Sequence, residues 1–239
     1  MNDLSNNSKV STLKLRSIVH SNCERSGQIA RSFNDNLQHD DGEFLISVFE
    51  HLFKDHTASN NIDEEIFGGL FQERLECKCG NIKELPIQKL SEVLMIQLDG
   101  CSVQTCIENF LEDEEIESKC ETCQSKVIVK KFDIVTEPST LIIQLKRYKY
   151  EHQESRTIKN LDDIECSKWI TLPNGSTYTI SSIVNHIGSS PDEGHYNVLI
   201  YDKINESFVL LDDLNACFDV DVTPEMQSLS YIVFYAKDI

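Results

Sequence analysis

No run of apolar residues in this chain approaches the roughly 20 needed to cross a bilayer as a helix. The longest, TLIIQL and YIVFYA, are strand-sized. The opening MNDLSNNSKVSTLKLRSIV has no apolar stretch of the kind that forms a secretory leader. Basic residues are scarce: 22 Lys and Arg stand against 40 Asp and Glu in 239 residues, for a net charge of −18. Such a field repels nucleic acid and anionic membranes and favours a basic partner, although it also serves plain solubility. There is no internal repeat, and no low-complexity tract beyond the acidic run EDEEIESK at 112–119. These absences predict an intracellular protein (cytoplasm, nucleus or both) with no membrane or nucleic-acid partner. Its nine cysteines are then expected to be reduced. In such a compartment paired cysteines point to metal or catalysis before disulfides, and an odd number cannot all be paired.

What is present fits a globular chain with one core and a small satellite lobe. Residues 1–37 are polar, weakly periodic and poorly defined, with at most a short helix after a frayed Asn/Ser-rich start. From Asp40 the pattern sharpens. Phe44, Leu45, Val48, Phe49, Leu52 and Phe53 recur at helical spacing and form one broad apolar face. Strand-like runs follow near 70–77, 82–88 and 93–98, then a short helix around 103–111. From 126 onward the chain reads almost wholly as strand: KVIVKKFDIV, TLIIQLKRYKY, TYTISSIVNHI, HYNVLIYD, SFVLLDD and YIVFYAKDI. Helices early and strands late predict an α+β fold, not an alternating α/β one.

Within DEGHYNVLIYDKINESFVLLDD at 192–213, two strands joined by the four residues Asp202 to Asn205 form a hairpin that pairs Tyr201 with Glu206. The same register sets His195 opposite Asp212, with Cβ atoms about 5 Å apart. A carboxylate beside an imidazole fixes its tautomer and stabilises the imidazolium, which is the general-base half of a nucleophilic triad. Gly194 would let a substrate backbone approach closely. The pairing alone also describes a half-exposed histidine packed beside a solvated acidic turn.

Two cysteine pairs stand about forty residues apart in strand–turn contexts, Cys77 and Cys79 in LECKCG and Cys120 and Cys123 in SKCETC. Four thiolates so placed suit a structural, tetrahedral Zn²⁺ joining two hairpins, with no position left for water. The first pair is C-x-C, one residue shorter than the favoured spacing. The alternative is four reduced thiols at the end of a flexible lobe. Cys101, Cys106, Cys166 and Cys217 have no metal spacing and are expected to be small apolar fillers.

In this order the pieces resemble the ubiquitin-specific proteases, papain-like cysteine deubiquitinases, from residue 38 to the C-terminus. QHDDGEFL resembles the family's Gln-x-Asp-x-x-Glu-Phe box. FGGLFQERLECKCG and KCETC resemble its two zinc hairpins, and TLIIQLKRY a core strand. IVNHIGSSPDEGHYNVLIYD resembles the block with the catalytic histidine. FVLLDD resembles the strand with the third triad member, and LSYIVFYAKD the closing strand. The resemblance implies a papain-like α+β fold: an antiparallel palm sheet, zinc-binding fingers over about 67–130 and a truncated helical thumb. It implies His195 as general base and Asp212 as its orienting partner, with Asp213 the alternative. Gln38, Asp40, Gly194 and Tyr196 become substrate-binding positions, and Cys77, Cys79, Cys120 and Cys123 zinc ligands. The implied partner is ubiquitin or a ubiquitinated protein, whose basic C-terminal tail matches the acidic field.

One departure matters. Nothing upstream resembles the family's Gly-Asn-Thr-Cys box, which supplies the nucleophile. Cys23, in HSNCERSG, lies too close before Gln38 and lacks that turn. The chain alone is therefore expected to be inactive. It is either the C-terminal part of a protease domain that hydrolyses the isopeptide bond after ubiquitin's last glycine, or a non-catalytic ubiquitin-binding scaffold.

Overall fold

The computed structural model describes residues 40–53, 66–90, 92–153, 155–191 and 193–238; the side chains of 50–53 lie outside the description. The chain divides into two compact units. One comprises 1–60 with Pro191–Gly194, the other 61–190 with His195–Ile239. The first contains helix α1 (Asp41–Phe53). Asp40 caps it: its Oδ1 accepts from the Glu43 amide at 3.0 Å and its carbonyl from the Phe44 amide at 3.0 Å. Asp41 and Glu43 in the first turn suit the positive end of the helix dipole. Gly42 falls in this first turn, where the full interior penalty of glycine does not apply.

The second unit is built on two sheets. The larger has eight strands, in the order β14 (Asn215–Val220), β13 (Ser207–Asp212), β12 (Glu193–Asp202), β11 (Thr177–Ser190), β15 (Ser230–Lys237), β7 (Thr140–Leu145) and β4 (Val93–Ile96), with β10 (Trp169–Thr171) also on β11. Its recorded ladders are antiparallel except β4 with β7. Period-2 alternation sends one row of side chains inward: Ile143 pairs with Val233 and Val233 with Ile183, all fully buried. Helix α2 (Val103–Phe110) adds Val103, Cys106 and Ile107, at i, i+3 and i+4, to the same core. Ser102 caps it, accepting from the Thr105 amide at 3.1 Å.

The smaller sheet has the order β2 (Ile82–Glu84), β1 (Gly69–Glu76), β6 (Val127–Thr136) and β5 (Glu114–Glu117), with β3 (Gln88–Leu90) also on β1. Its strands run to Thr136, beyond the boundary expected for the fingers, while β4 and α2, which lie within that span of sequence, belong to the larger sheet and its core. The acidic run becomes an edge strand. Lys130 meets Glu114 at 2.7 Å, and Lys131 meets Glu76 at 3.0 Å and Asp113 at 3.3 Å. Phe132 on β6 stacks on Phe71 at 4.4 Å and takes the edge of Phe110 from α2 at 6.1 Å, tying the two sheets' elements together. Cys106 and Cys166 are buried fillers as expected, but Cys101 and Cys217 are exposed. Among the described residues no helix is long and apolar enough to cross a membrane.

TLIIQLKRYKY is not one strand. It breaks at Lys146–Arg147, between β7 and β8 (Tyr148–Glu151), which forms a separate hairpin with β9 (Arg156–Lys159). Arg147 is fully buried at this break. Its Nη1 donates to the carbonyls of Asn160 and Asp162, both at 3.0 Å, its Nη2 to that of Gln227 at 2.7 Å, and its Nε to that of Ser230. The short helix α3 (Pro224–Gln227), the start of β15 and the segment after β9 are thus joined by one guanidinium. Burial lowers its pKa, but a guanidinium keeps its charge. Arg147→Met keeps the bulk and strands four carbonyls. Urea unfolding should show a loss of about 3 kcal/mol or more, and a loss below about 1 kcal/mol would show that water replaces the guanidinium.

Candidate active site and cysteine cluster

The β12–β13 hairpin is closed by the pair Asp202–Ser207 around residues 203–206. Asp202 organises the loop. Its carboxylate accepts from the amides of Ile204 at 2.9 Å and Asn205 at 3.3 Å and from the Asn205 side chain at 2.7 Å, which hold its pKa below the usual carboxylate range. Glu206 completes the turn with φ 52°. Tyr201 therefore pairs with Phe208, and not with Glu206 as the sequence suggested, and Val198 pairs with Leu211. The slip is two residues, so every side chain keeps its expected face. His195 and Asp212 become diagonal neighbours, still within reach of an imidazole.

They meet: His195 Nε2 lies 2.6 Å from Asp212 Oδ1. Both side chains are about two-fifths exposed. The hydrogen bond from Asp212 raises the pKa of His195 against a small opposing effect of burial, and the charges of Asp212 and Asp213 add to the rise. Asp213 holds the turn between Asp212 and Asn215 with φ 51°. It contributes charge, while the hydrogen bond recorded to the imidazole is that of Asp212. With Nε2 held, Nδ1 is the ring nitrogen turned away from Asp212 and the one suited to take a proton from a reactant. Tyr196, next along β12, packs its ring on His186 at 4.6 Å. Gly194 precedes His195 on the same strand. Asp40 is the α1 cap, and its charge together with burial raises the pKa of Asp41 to about 6, burial being the larger cause. Gln38 and Cys23 lie outside the described residues.

The four paired cysteines converge at the tip of the smaller sheet. Cys77 Sγ is 3.5 Å from Cys123 Sγ, Cys79 Sγ is 3.7 Å from Cys120 Sγ, and all four sulfurs lie within 4.8 Å of one another. These separations are far too long for a disulfide. They match the roughly 3.8 Å between sulfurs that a tetrahedral ion with 2.3 Å bonds would impose, so the cluster could hold a metal ion.

The two turns show how the short C-x-C spacing is accommodated. In the first, the Gly80 amide donates to the Cys77 carbonyl at 2.8 Å, and the Cys77 amide to Asn81 at 2.9 Å. In the second, the Gln124 amide donates to Cys120 at 3.0 Å, and the Cys120 amide to Ser125 at 2.8 Å. Each turn ends on a left-handed residue, Gly80 at φ 86° and Gln124 at φ 62°, and the first is one residue tighter throughout. The sulfur of Cys120 takes the backbone amides of Cys123 and Thr122, and its pKa is lowered to about 6. The amide of Cys79 pulls on Cys77, but burial and the three neighbouring thiols push that thiol up to about 12. Amide-stabilised thiolate is the form in which sulfur binds a metal.

Sequence reasoning missed the polar cluster on the other side of Tyr196, formed by His186, Lys159 and Tyr148. No spacing announces it, since its members come from three strands and meet only in the folded sheet.

The family model of ubiquitin carboxyl-terminal hydrolase matches residues 1–235. Ubiquitin carboxyl-terminal hydrolase 25 of Arabidopsis thaliana is 24% identical over 194 residues, covering 74% of this chain and 28% of its own length. Ubiquitin carboxyl-terminal hydrolase 36 of Drosophila melanogaster is 28% identical over 185 residues, covering 73% of this chain and 18% of its own. Among solved structures, the SAGA DUB module bound to monoubiquitin aligns with a TM-score of 0.72 at 20% identity over 91% of this chain. The SAGA Ubp8/Sgf11/Sus1/Sgf73 DUB module bound to ubiquitin aldehyde aligns with a TM-score of 0.73 at 21% identity over 89%. In both the match spans 52% of the solved chain. The chain thus spans less than a third of these curated relatives and about half of the solved chains. With the two sheets, the cysteine cluster and a family match across nearly its whole length, this chain belongs to the ubiquitin-specific protease family of ubiquitin carboxyl-terminal hydrolases.

Proposed function

We propose that this chain recognises ubiquitin and carries the base half of a cysteine-type deubiquitinase site. The observation that supports this best is the 2.6 Å bond between His195 Nε2 and Asp212 Oδ1. In this function Nδ1 of His195 removes the proton from a cysteine thiol supplied from outside the described residues. The thiolate attacks the carbonyl carbon of ubiquitin's C-terminal glycine. The imidazolium, stabilised by Asp212, returns the proton to the departing lysine amine. Water, deprotonated by the same histidine, then cleaves the thioester. Asp212 sets the ring's orientation and raises its basicity, and Gln38, Asp40, Gly194 and Tyr196 are each substrate-binding positions. The net charge of −18 suits a basic tail.

In the same function Cys77, Cys79, Cys120 and Cys123 hold a structural Zn²⁺ that fixes the tip of the smaller sheet; bound there, the ion joins two hairpins and takes no part in the reaction. Metal analysis should find one zinc per chain. Cys123→Ser or a strong chelator should remove it and lower the melting temperature. A zinc-free chain with unchanged melting would refute the role.

Titrating ¹⁵N-labelled ubiquitin with the chain should shift its amide resonances, less so as salt rises. No shift at high protein concentration removes ubiquitin as partner. Ubiquitin–fluorophore hydrolysis then divides the outcomes. Binding without turnover is the behaviour expected of this chain by itself, and a non-catalytic ubiquitin-binding module behaves likewise. Turnover lost in Cys23→Ser overturns the expectation that the thiol comes from elsewhere.

Asp212→Asn should bring the pKa of His195 down toward its ordinary 6.5, read by NMR of the imidazole. The sign for stability follows from linkage. A raised histidine pKa contributes stability that is fully present below the unfolded value and is lost as pH rises through the folded value. The stability gap between wild type and Asp212→Asn should therefore be widest in mild acid and close toward alkaline pH. A gap that widens with pH would contradict the hydrogen-bonded couple.

A further inference from the structure

Strand β11 outruns its partner. Its ladder with β15 ends at Asn185–Ser230, and the last bond on that side is from the His186 amide to the Leu229 carbonyl at 2.9 Å. Beyond this point the carbonyls of His186 and Gly188 face where β15 no longer runs. Backbone acceptors in a sheet need partners, and here a side chain supplies them. Lys159, at the end of β9, sets its Nζ 2.6 Å from the His186 carbonyl, 3.0 Å from that of Gly188 and 3.2 Å from Nδ1 of the fully buried His186 ring. Tyr148, paired with Lys159 across the β8–β9 hairpin, brings its hydroxyl within 2.6 Å of the same Nδ1. With a lysine and a phenol both directed at it, Nδ1 is placed to accept a hydrogen bond. The other side of that ring carries Tyr196 at 4.6 Å.

This matters for His195 because of where β12 is held. The β12–β13 ladder ends at Val198–Leu211, so His195 stands three residues past the last cross-strand pair on that side. We propose that Lys159 is a positioning residue for the His195–Asp212 couple: its ammonium replaces the missing strand beside β11 and, through the His186 ring and Tyr196, holds the end of β12 where His195 meets Asp212. The inference rests on the base role given to His195 above.

The groups facing the ammonium are Tyr148 from β8, whose ring centroid is 5.8 Å away, His186 from β11 and the Arg147 guanidinium from the β7–β8 break. Tyr196 from β12 and Tyr231 from β15 close around the His186 ring. The nearby Asp162 and Asp163 act on Arg147. Among the described residues no carboxylate pairs with Lys159. Burial and then Arg147 bring its pKa down to about 8, so the charge on the clamp falls away within the mildly alkaline range.

The test is a ring-NMR titration of ¹³C-histidine-labelled chain, which reads His195 directly and needs no enzymatic turnover. Wild type should titrate above the ordinary 6.5, Asp212→Asn should lose that elevation, and Lys159→Met should lose most of it while Lys159→Arg keeps it. If Asp212→Asn leaves His195 unmoved, the base couple itself fails. If Asp212→Asn lowers it but Lys159→Met only melts earlier, with His195 unchanged, Lys159 is merely structural and the proposal is overturned. Should Lys159→Met not fold, the wild-type titration decides. The His195 and Tyr196 signals should show a second inflection with its midpoint at about 8, and its absence overturns the clamp.

Discussion

A buried guanidinium whose hydrogen bonds all go to backbone carbonyls, among the described residues, is the constraint around which the palm of this molecule is arranged. Arg147 is enclosed by backbone carbonyls from Asn160, Asp162, Gln227 and Ser230. Removing a charge from water costs several kcal/mol unless its hydrogen bonds are replaced, and the replacement here joins three chain segments at once. The start of β15 is one of them, and β15 is an interior strand of the sheet, between β11 and β7. The register of the core row Ile143–Val233–Ile183 is therefore tied to a residue that makes no apolar contribution of its own.

The same economy governs the other cations. The chain has only 22 basic residues, and several of them are committed to local structure. Arg147 binds carbonyls, Lys159 completes a strand edge, and Lys130 and Lys131 are matched to acids on both sides of β6. These cations are engaged within the fold, and the net charge of the chain is −18. The net negative charge of the chain favours a basic partner.

Much of the architecture was legible because its signals are local. The α1 and α2 faces follow helical spacing, the strands follow alternation, and the two cysteine turns are marked by Gly80 and by a C-x-x-C pair. What escaped depends on contacts between distant segments. TLIIQLKRYKY is one strand by propensity, and it breaks because the buried Arg147 needs carbonyls in four directions. NACFDV is exposed along most of its length as β14 and carries no apolar alternation to reveal it. Cys101 and Cys217 resemble Cys106 and Cys166 in sequence, but only the latter pair is buried. The role of Lys159 cannot be seen until β11 is known to outlast β15.

The hairpin at the candidate site separates what sequence determines from what it leaves open. Alternation fixes the parity of each strand, so His195 and Asp212 share a face in any register shifted by an even number of residues. The shift itself was decided by the Asp202 carboxylate, which gathered Ile204 and Asn205 into the loop and moved the closing pair to Ser207. That change turned a directly opposed pair into a diagonal one. A diagonal contact spans a longer gap and tolerates less movement of either strand end. His195 lies beyond the last β12–β13 pair, on a strand whose other neighbour is β11, and at that end the β11 carbonyls of His186 and Gly188 are met by Lys159. In the proposed arrangement the 2.6 Å contact depends on the fold behind the histidine as well as on the aspartate in front of it.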